Sequence, residues 1–205
     1  MKKSNVLMYR FFLAGSVIFL VGLMIGCSSL SPSVSTRPVT LKGVFIDGPV
    51  GGINYTTPTV KGVTKADGEF EYQAGETVTF SIGGLMLGST AGKPVVTPLD
   101  IVADAKNASD QRVVNISVVL QTLDQDGNTA NGILITDQTA SFVTQYGKGI
   151  NFNKPARIFS FDPGFRNVMA ELNNIDAFGE APRAVTPPVV AQKHLEASLA
   201  NLKKK

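Results

Sequence analysis

The densest run of hard oxygen donors in the chain is Asp124-x-Asp126-Gly127-Asn128-x-x-Asn131-Gly132. Carboxylates and amide carbonyls at alternating positions are the ligands that Ca²⁺ takes. Asp124, Asp126 and Asn128 would supply side-chain oxygens to such an ion, with Asn131 beside them. The run departs from an EF-hand loop at both diagnostic places. Counted from Asp124, the glycine position holds Thr129 and the bidentate glutamate position holds Ile135. The same residues also suit an Asx-rich connection, whose side chains satisfy their own backbone. Calcium is the one cofactor the residues suggest.

Other reactive types are sparse. His194 is the only histidine and Cys27 the only cysteine, so a zinc site would have to be built mainly of carboxylates, which is uncommon. A Ser-His-Asp hydrolase is formally open, yet no Gly-x-Ser-x-Gly elbow occurs. His194 falls at the flank of an apolar helical stripe, where a ring with a wet tip is ordinary. The glycine-rich stretch Ile82-Gly83-Gly84-Leu85-Met86-Leu87-Gly88-Ser89 lacks the Lys-Ser/Thr ending of a phosphate loop and reads as a glycine-bent hairpin. No catalytic residue is assigned, and the chain is expected not to be an enzyme.

Cys27 has a different context. Lys2, Lys3 and Arg10 precede 15 uncharged positions, Phe11 to Ile25, and Gly26 and Cys27 close the run. A basic start, a short apolar stretch and a small residue before the cut make a secretory signal over residues 1–26. The apolar stretch is shorter than the ~20 residues that a membrane-spanning helix needs. Met24-Ile25-Gly26-Cys27 resembles the lipobox of bacterial lipoproteins, with Met24 where the family usually has leucine. The resemblance implies a diacylglycerol on the Cys27 thiol, palmitate among its acyl chains, and a Cys27 N-terminus after cleavage. Ser28 in place of aspartate implies transfer to the outer membrane. More than one acyl chain is needed to hold a soluble domain stably.

Removing the signal changes the charge. The chain has 19 basic and 16 acidic residues, a formal net charge of +3. The first 26 residues take three basic residues and no acid, which leaves 16 of each sign. The basic pI therefore belongs largely to the signal and to the Lys203-Lys204-Lys205 tail. Nucleic-acid binding, which needs a concentrated basic face, is not expected.

Residues 27–40 are rich in Ser, Pro and Thr and read as a flexible, lipid-anchored tether. From Leu41 the chain turns to short apolar runs punctuated by glycine. Val44-Phe45-Ile46 leads into the turn Asp47-Gly48-Pro49; Ala66-Asp67-Gly68 before Glu69-Phe70-Glu71-Tyr72 reads as a hairpin turn; Val78, Phe80 and Ile82 alternate with Thr77, Thr79 and Ser81. Residues 41–98 thus read as a small antiparallel β-sandwich. Gly43 to Gly52 and Gly62 to Tyr72 resemble the transthyretin-like, carboxypeptidase-regulatory-like sandwiches of secreted proteins, which implies a non-catalytic spacer or adhesion module. Tyr55, Tyr72 and Phe70 are candidates to line a glycan surface. The run through Pro98-Leu99-Asp100, Asn115-Ile116 and Leu123-Asp124 to Asn131-Gly132-Ile133 resembles a type of uncharacterised bacterial envelope lipoprotein.

Residues 99–205 read as mainly helical. Ser109 or Asn107 can cap a helix through about Leu123, with Val113, Ile116, Leu120 and Leu123 on a stripe that the neighbouring valines widen. A short helix from Thr136 or Asp137 closes at Gly147. Asp162-Pro163 caps a third, with Phe165, Val168, Met169 and Leu172 on one face. A last helix follows Thr186-Pro187-Pro188 and carries Ala191, Leu195, Leu199 and Leu202. The fold class is α+β: a small sandwich followed by a mainly helical subdomain. The function expected is that of a lipid-anchored envelope protein on the outer membrane, binding or supporting a protein or polysaccharide partner. A calcium-stabilised extracellular adhesion module is the alternative, and a hydrolase the third.

Overall fold

In the computed structural model, which describes residues 39–204, the period-two runs form nine short strands. They are β1 (Thr40–Phe45), β2 (Val50–Gly51), β3 (Asn54–Thr56), β4 (Lys61–Val63), β5 (Glu69–Gln73), β6 (Thr77–Ile82), β7 (Leu85–Ala91), β8 (Val95–Val96) and β9 (Ile133–Leu134). Two sheets carry most of them. One has the order β5-β1-β8, with β5 antiparallel and β8 parallel to β1; the other is fully antiparallel in the order β4-β3-β6-β7. Their facing sides bury every second residue, and the rings meet between them. Phe80 of β6 lies 4.8 Å from Phe45 of β1 and 5.1 Å edge-on from Phe70 of β5. Such contacts add to the burial of the rings.

The α+β class expected from the sequence is the observed one. Five helices, α1 (Gln111–Thr122), α2 (Asp137–Tyr146), α3 (Ala156–Phe159), α4 (Pro163–Asn174) and α5 (Pro188–Leu202), follow the first eight strands. One hydrophobic cluster runs from Phe45, Phe70 and Phe80 through Ile116 and Leu120 of α1 to Phe165 and Leu172 of α4. Helix α1 is its centre: ten of its twelve residues are buried, a wider face than an ordinary surface helix presents. The described residues form one unit. The secretory signal, Cys27 and the tether up to residue 38 lie outside the described residues.

Three local expectations change. Asp67-Gly68 does not close a hairpin, because β4 pairs with β3 and β5 pairs with β1. The turn instead carries the chain from one sheet to the other, and the Gly68 carbonyl accepts the Phe45 N–H at 2.9 Å. Burying Phe70 and Tyr72 against the opposite sheet outweighs local turn preference. For the same reason Tyr55, Tyr72 and Phe70 are core residues rather than a glycan surface. Helix α1 is capped by Asp110, whose carboxylate takes the Arg112 N–H at 2.9 Å; Asn107 accepts from Ser109 instead.

Three other local features match. The Gly83-Gly84 stretch is the turn of the β6–β7 hairpin, with Ile82 opposite Leu85 and Gly83 at φ +53°. Thr136 caps α2 through the Thr139 N–H, and Gly147 ends it. Asp162 caps α4 at the Phe165 N–H, with Pro163 in the first turn.

Candidate functional site

Helix α1 ends at Leu123, and the chain leaves the core through Asp124. The Asp124 carboxyl is buried. Its Oδ1 accepts the Leu134 N–H at 2.8 Å, so it links the end of α1 to β9 ten residues later. Its Oδ2 is also buried and has no hydrogen-bond partner among the described residues. Burial first, then the neighbouring Asp126, push the Asp124 carboxyl above the ordinary range. Asp126 is exposed and behaves oppositely. Its Oδ2 accepts Asn131 Nδ2 at 2.9 Å and its Oδ1 accepts the Asn128 N–H at 2.8 Å, which holds it below the ordinary range.

Between Gln125 and β9 the loop makes a 3₁₀ turn (Thr129–Asn131). Asn128 caps that turn, its Oδ1 accepting the Ala130 N–H at 3.3 Å. Of the four candidate ligands, Asp124, Asp126 and Asn131 line one cleft of about 200 Å³, together with Ala66 from the turn between the sheets; Asn128 is not part of that lining. Arg183 braces the loop from outside. Its Nη1 donates to the Asp124 carbonyl at 2.9 Å, and its guanidinium lies 4.6 Å from the Phe178 ring. Among the described residues no group of three or more His, Cys, Asp or Glu side chains could hold a metal ion. A cation here would need amide, carbonyl or water oxygens as well.

A second polar cluster joins three distant stretches. Asp47, in the turn after β1, is wholly buried. Its Oδ1 meets His194 Nδ1 of α5 at 2.9 Å, and its Oδ2 accepts Gln121 Nε2 of α1 at 3.1 Å. His194 Nε2 faces the Thr129 carbonyl at 3.2 Å. Both ring nitrogens therefore face acceptors, an arrangement best met when both carry protons. The Asp47 hydrogen bond is the main reason that the His194 pKa lies above its ordinary value, with burial acting the other way. Next to it, Ser198 Oγ accepts the Gly48 N–H at 2.9 Å.

His194 therefore is not a wet-tipped surface ring; it ties α5 to the β1 turn and to the 3₁₀ loop. The sequence showed Asp47 only as a turn former and Gln121 only as part of a helix. No local pattern marks residues 74 positions apart as partners.

No protein-family model matches the chain, and no solved structure matches it. Over 102 residues, 50% of its length, it is 30% identical to the "Putative lipoprotein AcfD homolog" of Escherichia coli (strain K12). The chain spans about 6% of that protein's length. No helix among the described residues is long and apolar enough to cross a membrane.

Proposed function

We propose that this chain is a lipid-anchored protein of the bacterial envelope, held to the outer membrane through Cys27 and acting as a non-enzymatic binding or structural module for a protein or polysaccharide. The similarity over half of the chain to a protein named "Putative lipoprotein AcfD homolog" is the observation that carries this reading. The lipobox-like Met24-Ile25-Gly26-Cys27 supplies the chemistry: a thiol that takes acyl chains, ahead of a Ser/Pro/Thr-rich tether. The folded unit supports the non-catalytic part. Its one histidine bonds to the buried Asp47 and to the Thr129 carbonyl, and Asp47 also accepts from Gln121, a use that braces the fold. Ser198, the hydroxyl nearest in sequence to that histidine on α5, accepts the backbone Gly48 N–H.

Metabolic labelling with radiolabelled palmitate tests the anchor. The wild-type protein should take up label and fractionate with outer membranes, whereas Cys27→Ala should lose the label and accumulate as uncleaved precursor. Persistent labelling of the variant would sink the proposal. Cross-linking in intact envelopes, followed by capture of the lipidated protein, would then identify the partner.

A further inference from the structure

We propose that the cleft between the end of helix α1 and strand β9 is a weak Ca²⁺ site, with Asp124, Asp126 and Asn131 as its side-chain ligands. Three observations converge on this cleft. The first is the buried Oδ2 of Asp124, an acceptor on a fully buried side chain with no donor among the described residues. Natural structures leave few such atoms, and one on a residue that lines a cleft calls for an ion, a proton or a water. The second is the neighbour it faces. Asp126 lines the same cleft, so a cation there meets two carboxyl groups. The third is Asn131, whose amide already reaches Asp126 Oδ2 at 2.9 Å. A half-turn of that amide puts its oxygen where its nitrogen now lies and adds a neutral oxygen ligand.

The donor set selects the ion. All three are hard oxygens on an irregular loop, which favours Ca²⁺ over Mg²⁺, because Mg²⁺ requires near-octahedral geometry and sheds water reluctantly. The cleft has room for water ligands alongside the protein oxygens. Two features keep the site weak. There are only two carboxylates, and the Arg183 guanidinium sits on the Asp124 and Gln125 carbonyls, adding positive charge close by. Both point to a Kd on the order of 10⁻⁴–10⁻³ M, the range of extracellular calcium modules. Asn128 is left out of this ligand set, since its Oδ1 caps the 3₁₀ turn. Bound calcium would tie the end of α1 to the 3₁₀ turn that carries Asn131.

The test uses the full chain in detergent, with CaCl₂ as titrant, MgCl₂ as control and EGTA as the zero point. Calcium at ten times Kd should raise Tm by about 3–6 °C, and magnesium should do far less. Asp126→Asn lies on an exposed loop and should fold normally, yet lose most of the calcium response. Asp124→Asn should abolish it. Equal Tm in calcium and EGTA, with no heat of binding, would overturn the site. So would a calcium response that survives in both variants. If the wild type ignores calcium, Asp124→Asn melts higher, and stability falls as pH rises above the ordinary carboxylate range, a proton shared by the two carboxyl groups satisfies Oδ2 and the ion is excluded.

Discussion

Removing the His194 side chain isolates what the Asp47–Gln121–His194 cluster contributes. His194→Ala leaves the Asp47 carboxylate wholly buried, with Gln121 Nε2 at 3.1 Å as its remaining side-chain partner. Breaking a buried pair from one side costs about 3–5 kcal/mol, most of it the penalty of an uncompensated charge. The His194 side chain is 21% exposed, so water can follow it into the gap. The expected cost is therefore at the lower end, about 3 kcal/mol. For a domain of this size that corresponds to a Tm drop of about 6–12 °C.

The pH dependence gives a sharper signature. The folded-state pKa of His194 lies above its ordinary value of 6.5, chiefly through the Asp47 hydrogen bond. A raised histidine pKa means that the folded state binds the proton more tightly than the unfolded chain. The stabilisation is then fully present below pH 6.5 and is lost as pH climbs through the folded-state pKa. Thermal unfolding at closely spaced pH values from 5.5 to 9 should show the wild type weakening across that window. His194→Ala should lack this component of the slope, and Asp47→Asn should flatten it. Parallel profiles for the wild type and both variants, or a Tm change under 2 °C for His194→Ala, would refute the reasoning.

Two further substitutions probe the framework. Gly52 has φ +81°, and a Cβ there would collide with the Ile135 carbonyl oxygen. Gly52→Ala should therefore cost at least about 3 kcal/mol, seen as a lowered denaturation midpoint, since strained φ and steric displacement add. Asp162 both caps α4 and pairs with Lys154 Nζ at 2.8 Å while wholly buried, so Asp162→Ala should cost about 2–4 kcal/mol. Asp162→Asn keeps the cap but loses the charge, and chemical denaturation should rank it between the wild type and Asp162→Ala.

The helical half was the more legible part of the sequence. Asp162-Pro163 with its i, i+3, i+4, i+7 apolar face, and Thr136 with Gly147, are local signals that act within one turn of backbone, and the helices lie where they indicate. Strand existence was legible too, because Val78, Phe80 and Ile82 alternate with polar residues and are buried as that period requires. Partners were not. The Asp67-Gly68 turn has a hairpin composition, yet the flanking strands join different sheets, since pairing is decided by which faces can be buried together. Helix α3 gave no warning in sequence: four residues carry no periodicity to read.

The candidate site divides along the same line. The sequence alone determined the oxygen-rich composition of residues 124–132, the single thiol at Cys27 and the charge balance of residues 27–205. These follow from residue identity and spacing. Only the tertiary structure decided that Asn128 turns to its own backbone while Asp124, Asp126 and Asn131 share a cleft. It alone joined His194 to Asp47 across 147 positions. Local patterns record what a residue can offer. Which offers meet is set by how α1, α5 and the two sheets bury one common core, a sum over many weak contacts that no short stretch contains.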